Sequence, residues 1–185
     1  MSNFSICVYC GSRKGDNPDF TTQAEVLGQA LAQEGWRLVY GAGDVGLMGS
    51  VARAAQAAGG ETFGVIPTHL LQLEVGKTDL TSFVITETMH ERKKVMLMNA
   101  DAVVVMPGGA GSLDEFFEVL TWRQLGLHDK PIILMDVAGY WGPLRALMAH
   151  VVDSGFADGS LLDFVQSGGS AEEVMALLRR ALPRA

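Results

Sequence analysis

One stretch constrains this chain more than any other: Val103-Val104-Val105-Met106 runs unbroken into Pro107-Gly108-Gly109-Ala110-Gly111-Ser112. A strand with one wet face alternates apolar and polar residues. One that is apolar throughout is buried on both faces, the habit of a parallel sheet covered by helices. Related strand signals occur at 4–9, 37–40, 62–66, 82–86, 102–106 and 132–135, with a weaker one at 161–165. Helical patterns fall between and after them, near 19–34, 47–58, 90–99, 113–127, 142–152 and 171–182. Strand–helix alternation with short loops predicts a doubly wound, mostly parallel α/β sheet with helices on both faces. At 185 residues the chain suits a single domain, and it shows no internal repeat, linker or low-complexity tract.

Composition narrows the partners. With 48% hydrophobic and 19% charged residues the chain is globular in character. Its formal charge of −7 disfavours a polymeric nucleic-acid partner, whose backbone it would repel. No apolar run is long enough to cross a bilayer and the first nine residues lack a signal-peptide layout, so no membrane association and a cytoplasmic setting are expected. Cys7 and Cys10 are spaced as C-x-x-C, yet positions three apart on a strand point to opposite faces, which predicts two structural cysteines rather than a dithiol site. The four histidines are scattered without ligand spacing, so no metal site is expected.

Ligands of open α/β sheets bind at the carboxyl ends of the strands, and three loops there are chemically unusual. The first is Gly41-Ala42-Gly43-Asp44-Val45-Gly46-Leu47-Met48-Gly49. Residues 41–46 satisfy the dinucleotide pattern G-x-G-x-x-G, but they follow the second strand rather than the first, and the next strand ends without an acidic residue for a ribose hydroxyl. Gly43 and Met48 are candidate ligand-lining residues in this loop. The second is Met89-His90-Glu91-Arg92-Lys93-Lys94 at a helix start, where cations face the positive end of the macrodipole and invite an anion. Glu87 and Glu91 offer the alternative of surface ion pairing. Met89, Arg92, Lys93 and Met96 fall on one helical face, which sets the two cations along a partly apolar stripe.

The third is the Pro107–Ser112 loop, with the helix of Leu113, Phe116, Phe117 and Leu120 behind it. Glycines at a helix N-terminus expose backbone N–H groups to a phosphate, and the dipole adds attraction. Ser112-Leu113-Asp114-Glu115 also fits a capping box, in which both side chains satisfy orphan N–H groups. Glu115 can instead project toward a sugar held by the loop, and the pattern alone does not choose.

Read together, YGAGDVGLMG, ETMHERKKVMLMNADAVVVMPGGAGSLDE and FFEVLTWRQLGLHDKPIILMD resemble the Lonely Guy family of cytokinin-activating phosphoribohydrolases, from about Cys10 through Trp141. The resemblance implies a Rossmann-like fold, a homodimer, no cofactor, and hydrolysis of cytokinin riboside 5′-monophosphates (N6-substituted AMP) to the free base and ribose 5-phosphate. It implies Arg92 and Glu115 as the catalytic pair. It places substrate contacts at Glu74, Lys93, Thr121 and the run Gly108, Gly109, Ala110, Gly111, Ser112, Leu113, Asp114. Ala42, Ser112 and Asp114 stand where the family usually has glycine, threonine and glutamate. Proteins with this pattern have been labelled lysine decarboxylases, but no lysine here stands out as a pyridoxal anchor.

Breaking a ribosyl C1′–N9 bond passes through an oxocarbenium-like sugar. A Glu115 carboxylate near C1′ offsets that charge and orients water. Arg92 either binds the 5′-phosphate or supports Glu115 and the ribose hydroxyls. Rival readings are a general purine monophosphate nucleosidase acting on AMP or GMP, a nucleotide-binding domain without catalysis, and, more distantly, a dinucleotide oxidoreductase.

Overall fold

In the computed structural model, residues 4–71 and 79–182 are described. The sheet has seven strands in the order β4-β3-β2-β1-β5-β6-β7, and every pairing is parallel. They are β1 (Ser5–Tyr9), β2 (Arg37–Tyr40), β3 (Thr62–Pro67), β4 (Ser82–Thr86), β5 (Ala102–Val105), β6 (Ile132–Met135) and β7 (Val165–Gly168). The helices are α1 (Pro18–Gln33), α2 (Gly46–Ala57), α3 (Met89–Met98), α4 (Ala110–Gln124), α5 (Gly142–Asp153), the single turn α6 (Ser160–Asp163) and α7 (Ala171–Ala181). This is the Rossmann-like, doubly wound arrangement.

Alternate residues of the central strands feed two cores. Ile6, Val8, Leu38, Tyr40, Val104 and Ile133 pack with residues of α1, α2 and α7. Cys7, Tyr9, Val39, Val103, Val105 and Leu134 pack with residues of α3, α4 and α5. Each fully buried aliphatic side chain contributes about 1.5–3 kcal/mol, so a one-residue slip of register would move an entire set to the wrong core. The cysteines obey the same alternation: Cys7 lies in one core and Cys10 in the other, both free and buried.

Two boundaries differ from the sequence expectation. The seventh strand begins at Val165, and Leu161 belongs to α6, where its side chain is buried. An apolar residue four positions before the strand mimics its start. More consequentially, α4 begins at Ala110 rather than at 113, with Gly109 as its N-cap. Glycines discourage a helix assignment by propensity, but Gly111 costs little in a first turn whose N–H groups are unbonded in any case.

Chain order reverses at β1, which lies between β2 and β5. That is the topological switch point, where the loops after two adjacent strands diverge and leave a crevice at their carboxyl ends. The β1–α1 and β5–α4 connections flank it.

Among the described residues, no helix is long and apolar enough to cross a membrane. None of their His, Cys, Asp and Glu side chains form a group of three or more able to hold a metal ion.

Candidate active site

A cavity of about 490 Å³ occupies the crevice. Its floor is the end of β1, with Val8, Tyr9 and Cys10, and its walls come from the loops after β1, β2 and β5 and from α3. Gly11 ties three of these parts together: its N–H donates to the Pro107 carbonyl (3.0 Å), and its own carbonyl accepts from Leu47 N–H (3.0 Å).

Arg92 is brought to the cavity by α3. The helix is started by Thr88, whose hydroxyl accepts from Glu91 N–H (3.2 Å), while the Glu91 carboxylate accepts from Thr88 N–H (3.0 Å) and Glu87 N–H (2.9 Å). That reciprocal capping box uses the one acidic residue of the first turn, and those N–H bonds hold the Glu91 carboxyl below its ordinary range. The Arg92 side chain then enters the interior and is only 4% exposed. Its Nε donates to the Val65 carbonyl on β3 (3.0 Å) and Nη2 to the Gly41 carbonyl just after β2 (2.6 Å). The guanidinium is thereby fixed to the ends of two strands. Gly41 is required for this: a Cβ there would lie 2.2 Å from Arg92 Nη2.

Glu115 lines the same cavity from α4. It is the sixth residue of that helix, and Ser112 is the third, so the S-x-x-E pattern is not a capping box here; Gly109 caps without a side chain. The capping-box alternative for Glu115 is therefore removed. Both charges reach the floor with opposite sign. Burial comes first in pushing the Cys10 thiol far up its scale, the Glu115 carboxylate pushes the same way, and Arg92 opposes them.

Glycine serves two purposes at the β5–α4 turn. A Cβ on Gly108 would lie 2.0 Å from Ser112 Oγ and 2.9 Å from the Gly11 nitrogen, so this position has no room for one. Gly109 and Gly111 face open space instead, with nothing within 4 Å of a Cβ at either. No side chain caps the first turn of α4, and Gly109, Ala110 and Gly111 line the cavity with Arg92 and Glu115.

Of the residues expected from sequence, Arg92, Glu115, Met48, Gly108, Gly109, Ala110, Gly111, Ser112 and Asp114 line the cavity. Four do not line it within one copy of the chain: Gly43, Lys93, Leu113 and Thr121. Lys93 shares α3 with Arg92 but turns to α4, where its ammonium meets Asp114 (2.9 Å) and Glu118 (2.8 Å). Burial works against its charge, but hydrogen bonds and attraction from Glu118 and Asp114 prevail and raise its pKa above the ordinary lysine value. Leu113 packs against the core and Thr121 is exposed on α4. Glu74 lies outside the described residues.

Several lining residues escaped sequence reading: Arg13, Lys14, Phe20 and Tyr140. Gly41 opens the noted glycine loop, but its purpose depends on a side chain 51 positions away. Arg13 and Lys14 follow β1 and become relevant only once β1 is known to lie beside β5. The dinucleotide reading weakens for the same reason: the loop at the switch point is the one after β1, not residues 41–46.

Comparison with known proteins bears on this site. A rice (Oryza sativa subsp. japonica) protein named probable cytokinin riboside 5′-monophosphate phosphoribohydrolase LOG4 is 40% identical over 177 residues, covering 96% of this chain and 77% of its own. The chain belongs to the cytokinin riboside 5′-monophosphate phosphoribohydrolase family. The Arabidopsis thaliana family member LOG1 is 37% identical over 179 residues, covering 97% of this chain and 84% of its own. A family model described as "Possible lysine decarboxylase" matches residues 48–178. The relatives named here are phosphoribohydrolases by name, whereas that description names a decarboxylase. Among solved structures, the molybdenum cofactor carrier protein of Chlamydomonas reinhardtii superposes with a TM-score of 0.75 at 20% identity, covering 98% of both chains. The molybdenum cofactor binding protein of Rippkaea orientalis gives 0.74 at 24%, covering 97% of this chain and 98% of its own. At those identities they show that phosphoribohydrolase-family chains share their fold with cofactor carriers, and nothing about chemistry.

Proposed function

We propose that this chain hydrolyses the N-glycosidic bond of cytokinin riboside 5′-monophosphates, releasing the N6-substituted adenine and ribose 5-phosphate. The observation that carries the reading is the meeting, in one cavity at the switch point, of Arg92, Glu115 and the uncapped N-terminus of α4. The 5′-phosphate seats on the first-turn N–H groups at Gly109–Ser112, where backbone donors and the helix dipole favour an anion. Glu115, less than two turns further along α4, then serves the sugar. Its carboxylate stabilises positive charge developing at C1′ and accepts a proton from the attacking water. The C1′–N9 bond breaks with its electron pair passing to the base, which takes up a proton as it leaves. The water oxygen becomes the C1′ hydroxyl of ribose 5-phosphate, and Glu115 then gives up the proton it took, so the step balances.

Arg92 fits transition-state support better than phosphate gripping. Two of its three nitrogens already donate to strand-end carbonyls, which fixes the guanidinium plane rather than leaving the fork to wrap a phosphate. Held there, its charge acts on Glu115 and on the ribose hydroxyls.

A second copy of the chain belongs to the proposal. Phe117 and Thr121 on α4 and Leu125 at its C-cap form an exposed stripe at i, i+4, i+8, and Leu125 and Leu127 are about two-thirds exposed. A homodimer would cover that stripe and bring Thr121 into an interface.

The test is release of free base from isopentenyladenosine 5′-monophosphate. Fast release, with little from isopentenyladenosine, supports the reading and the need for phosphate. Equal release from AMP would replace it with a general purine nucleotide hydrolase.

A further inference from the structure

The turn after β6 adopts a costly backbone. Ala138 (φ +54°) and Gly139 (φ +73°) are consecutive left-handed residues, and alanine pays on the order of 1–2 kcal/mol for that conformation. Asp136 holds the turn: its Oδ1 accepts from Trp141 N–H (2.6 Å) and its carbonyl from Gly139 N–H (3.2 Å). What the turn delivers is two aromatic side chains to the β5–α4 loop. Trp141 is buried and its Nε1 donates to the carbonyl of Val105, the last residue of β5 (3.2 Å). Tyr140 lines the cavity, and its hydroxyl donates to the Gly108 carbonyl at 2.6 Å. Its ring stands edge-to-face against Trp141 (4.8 Å between centroids) and against Phe20 near the start of α1 (5.5 Å).

We propose that Tyr140 is a positioning residue for the phosphate end of the site, acting by fixing the orientation of the Gly108–Gly109 peptide. The argument is geometric. In a planar trans peptide the carbonyl of one residue and the N–H of the next point in opposite directions. Holding the Gly108 oxygen toward Tyr140 therefore aims the Gly109 N–H away from it. A glycine–glycine peptide is the easiest to rotate, because neither neighbour carries a Cβ to resist the change. Rotation would place a carbonyl oxygen where the phosphate needs a donor. The ring contacts with Phe20 and Trp141 keep the hydroxyl in place, and the strained turn is explained by this delivery. The proposal rests on the phosphate seat assigned above and adds the residue that holds it in its binding form.

Tyr140→Phe tests it, since it keeps the ring and removes only the hydroxyl. Binding of ribose 5-phosphate is measured by calorimetry, KM and kcat with the nucleotide substrate, and Tm in parallel. Loss of one hydrogen bond predicts a rise of roughly three- to tenfold in both the ribose 5-phosphate Kd and KM, with kcat within about twofold and Tm little changed. An unchanged Kd overturns the proposal. So does a fall in kcat alone, or a Kd change that appears only where Tm has dropped and vanishes on cooling. Tyr140→Ala should weaken binding further than Tyr140→Phe, and equal binding by the two would deny the ring its part. Because ribose 5-phosphate binding needs no turnover, a wild-type chain that binds it but releases no base from any nucleotide defeats the proposed reaction while leaving this comparison decisive. A wild-type chain that releases base from the nucleotide but does not bind ribose 5-phosphate defeats the phosphate seat and this proposal while leaving the reaction standing.

Discussion

Glu115 and Arg92 carry the chemistry of the account, and each has a substitution that separates role from scaffold. Glu115→Gln keeps the size and removes the charge, so kcat should fall by at least about a hundredfold while nucleotide binding changes little; turnover near the wild-type rate would refute the assignment. For Arg92 the more telling change is at its anchor. A Gly41→Ala Cβ would press within 2.2 Å of Nη2 and displace the guanidinium, at a position that itself lines the cavity. We expect kcat to drop by roughly ten- to a hundredfold with KM moving less; a rise in KM alone would return Arg92 to the phosphate. The sequence already singled out both catalytic candidates, because a glycine-rich loop and a basic helix start are local patterns. It left Glu115 undecided between cap and chemistry, because that choice hangs on where α4 begins, a shift of three residues at its first turn. The roles of Gly41 and Tyr140 were beyond its reach, since they lie in contacts with Arg92 and Gly108, 51 and 32 positions away.

At the scale of elements, α3 and α4 hold the site and are coupled to each other. Lys93 joins them by pairing with Asp114 and Glu118, while Arg92, one residue before it, serves the cavity. Sequence periodicity correctly put both cations on an inward face of α3. It could not show that neighbouring positions, about 100° apart around a helix, would address different partners. Lys93→Met should accordingly cost stability, about 1–2 kcal/mol, by leaving two carboxylates facing each other. KM should stay within about twofold; a tenfold rise would mean that the ammonium serves the substrate after all. The Thr88 capping box is the other local device, and Thr88→Ala should remove about 1 kcal/mol, seen as a lower Tm. Strand assignments fared well wherever a run was mostly apolar or β-branched, as in β1, β2, β4, β5 and β6. The seventh strand was misplaced because β7, Val-Gln-Ser-Gly, carries little apolar signal of its own.

For the molecule as a whole, a mostly parallel, doubly wound sheet with helices on both faces was legible from strand–helix alternation, but strand order was not. The neighbourhood of β1 and β5, which creates the cavity, is a tertiary fact. The two buried cysteines, one in each core, predict an alkaline limit to stability. Burial raises the Cys7 and Cys10 thiols far above the ordinary value of 9.0, so the unfolded chain releases these protons first as pH rises. It then binds fewer protons than the folded chain, and unfolding free energy declines above about pH 9. Tm measured from pH 7 to 10 should fall at the upper end, and less steeply for Cys7→Ala or Cys10→Ala; parallel curves would assign the loss to other groups. The exposed α4 stripe makes a separate claim: Leu125→Glu should convert a homodimer to monomer by light scattering, and a wild-type monomer would remove the second copy from the account.

The central claim is bond cleavage in a phosphate-bearing nucleoside, and base release tests it most directly. Purified protein is incubated in parallel with isopentenyladenosine 5′-monophosphate, AMP and isopentenyladenosine, and free base is followed by chromatography. The account predicts base from the first substrate at a rate far above the other two, and none from it with Glu115→Gln. No base from any of the three would contradict the account and leave a chain that holds nucleotides without cleaving them.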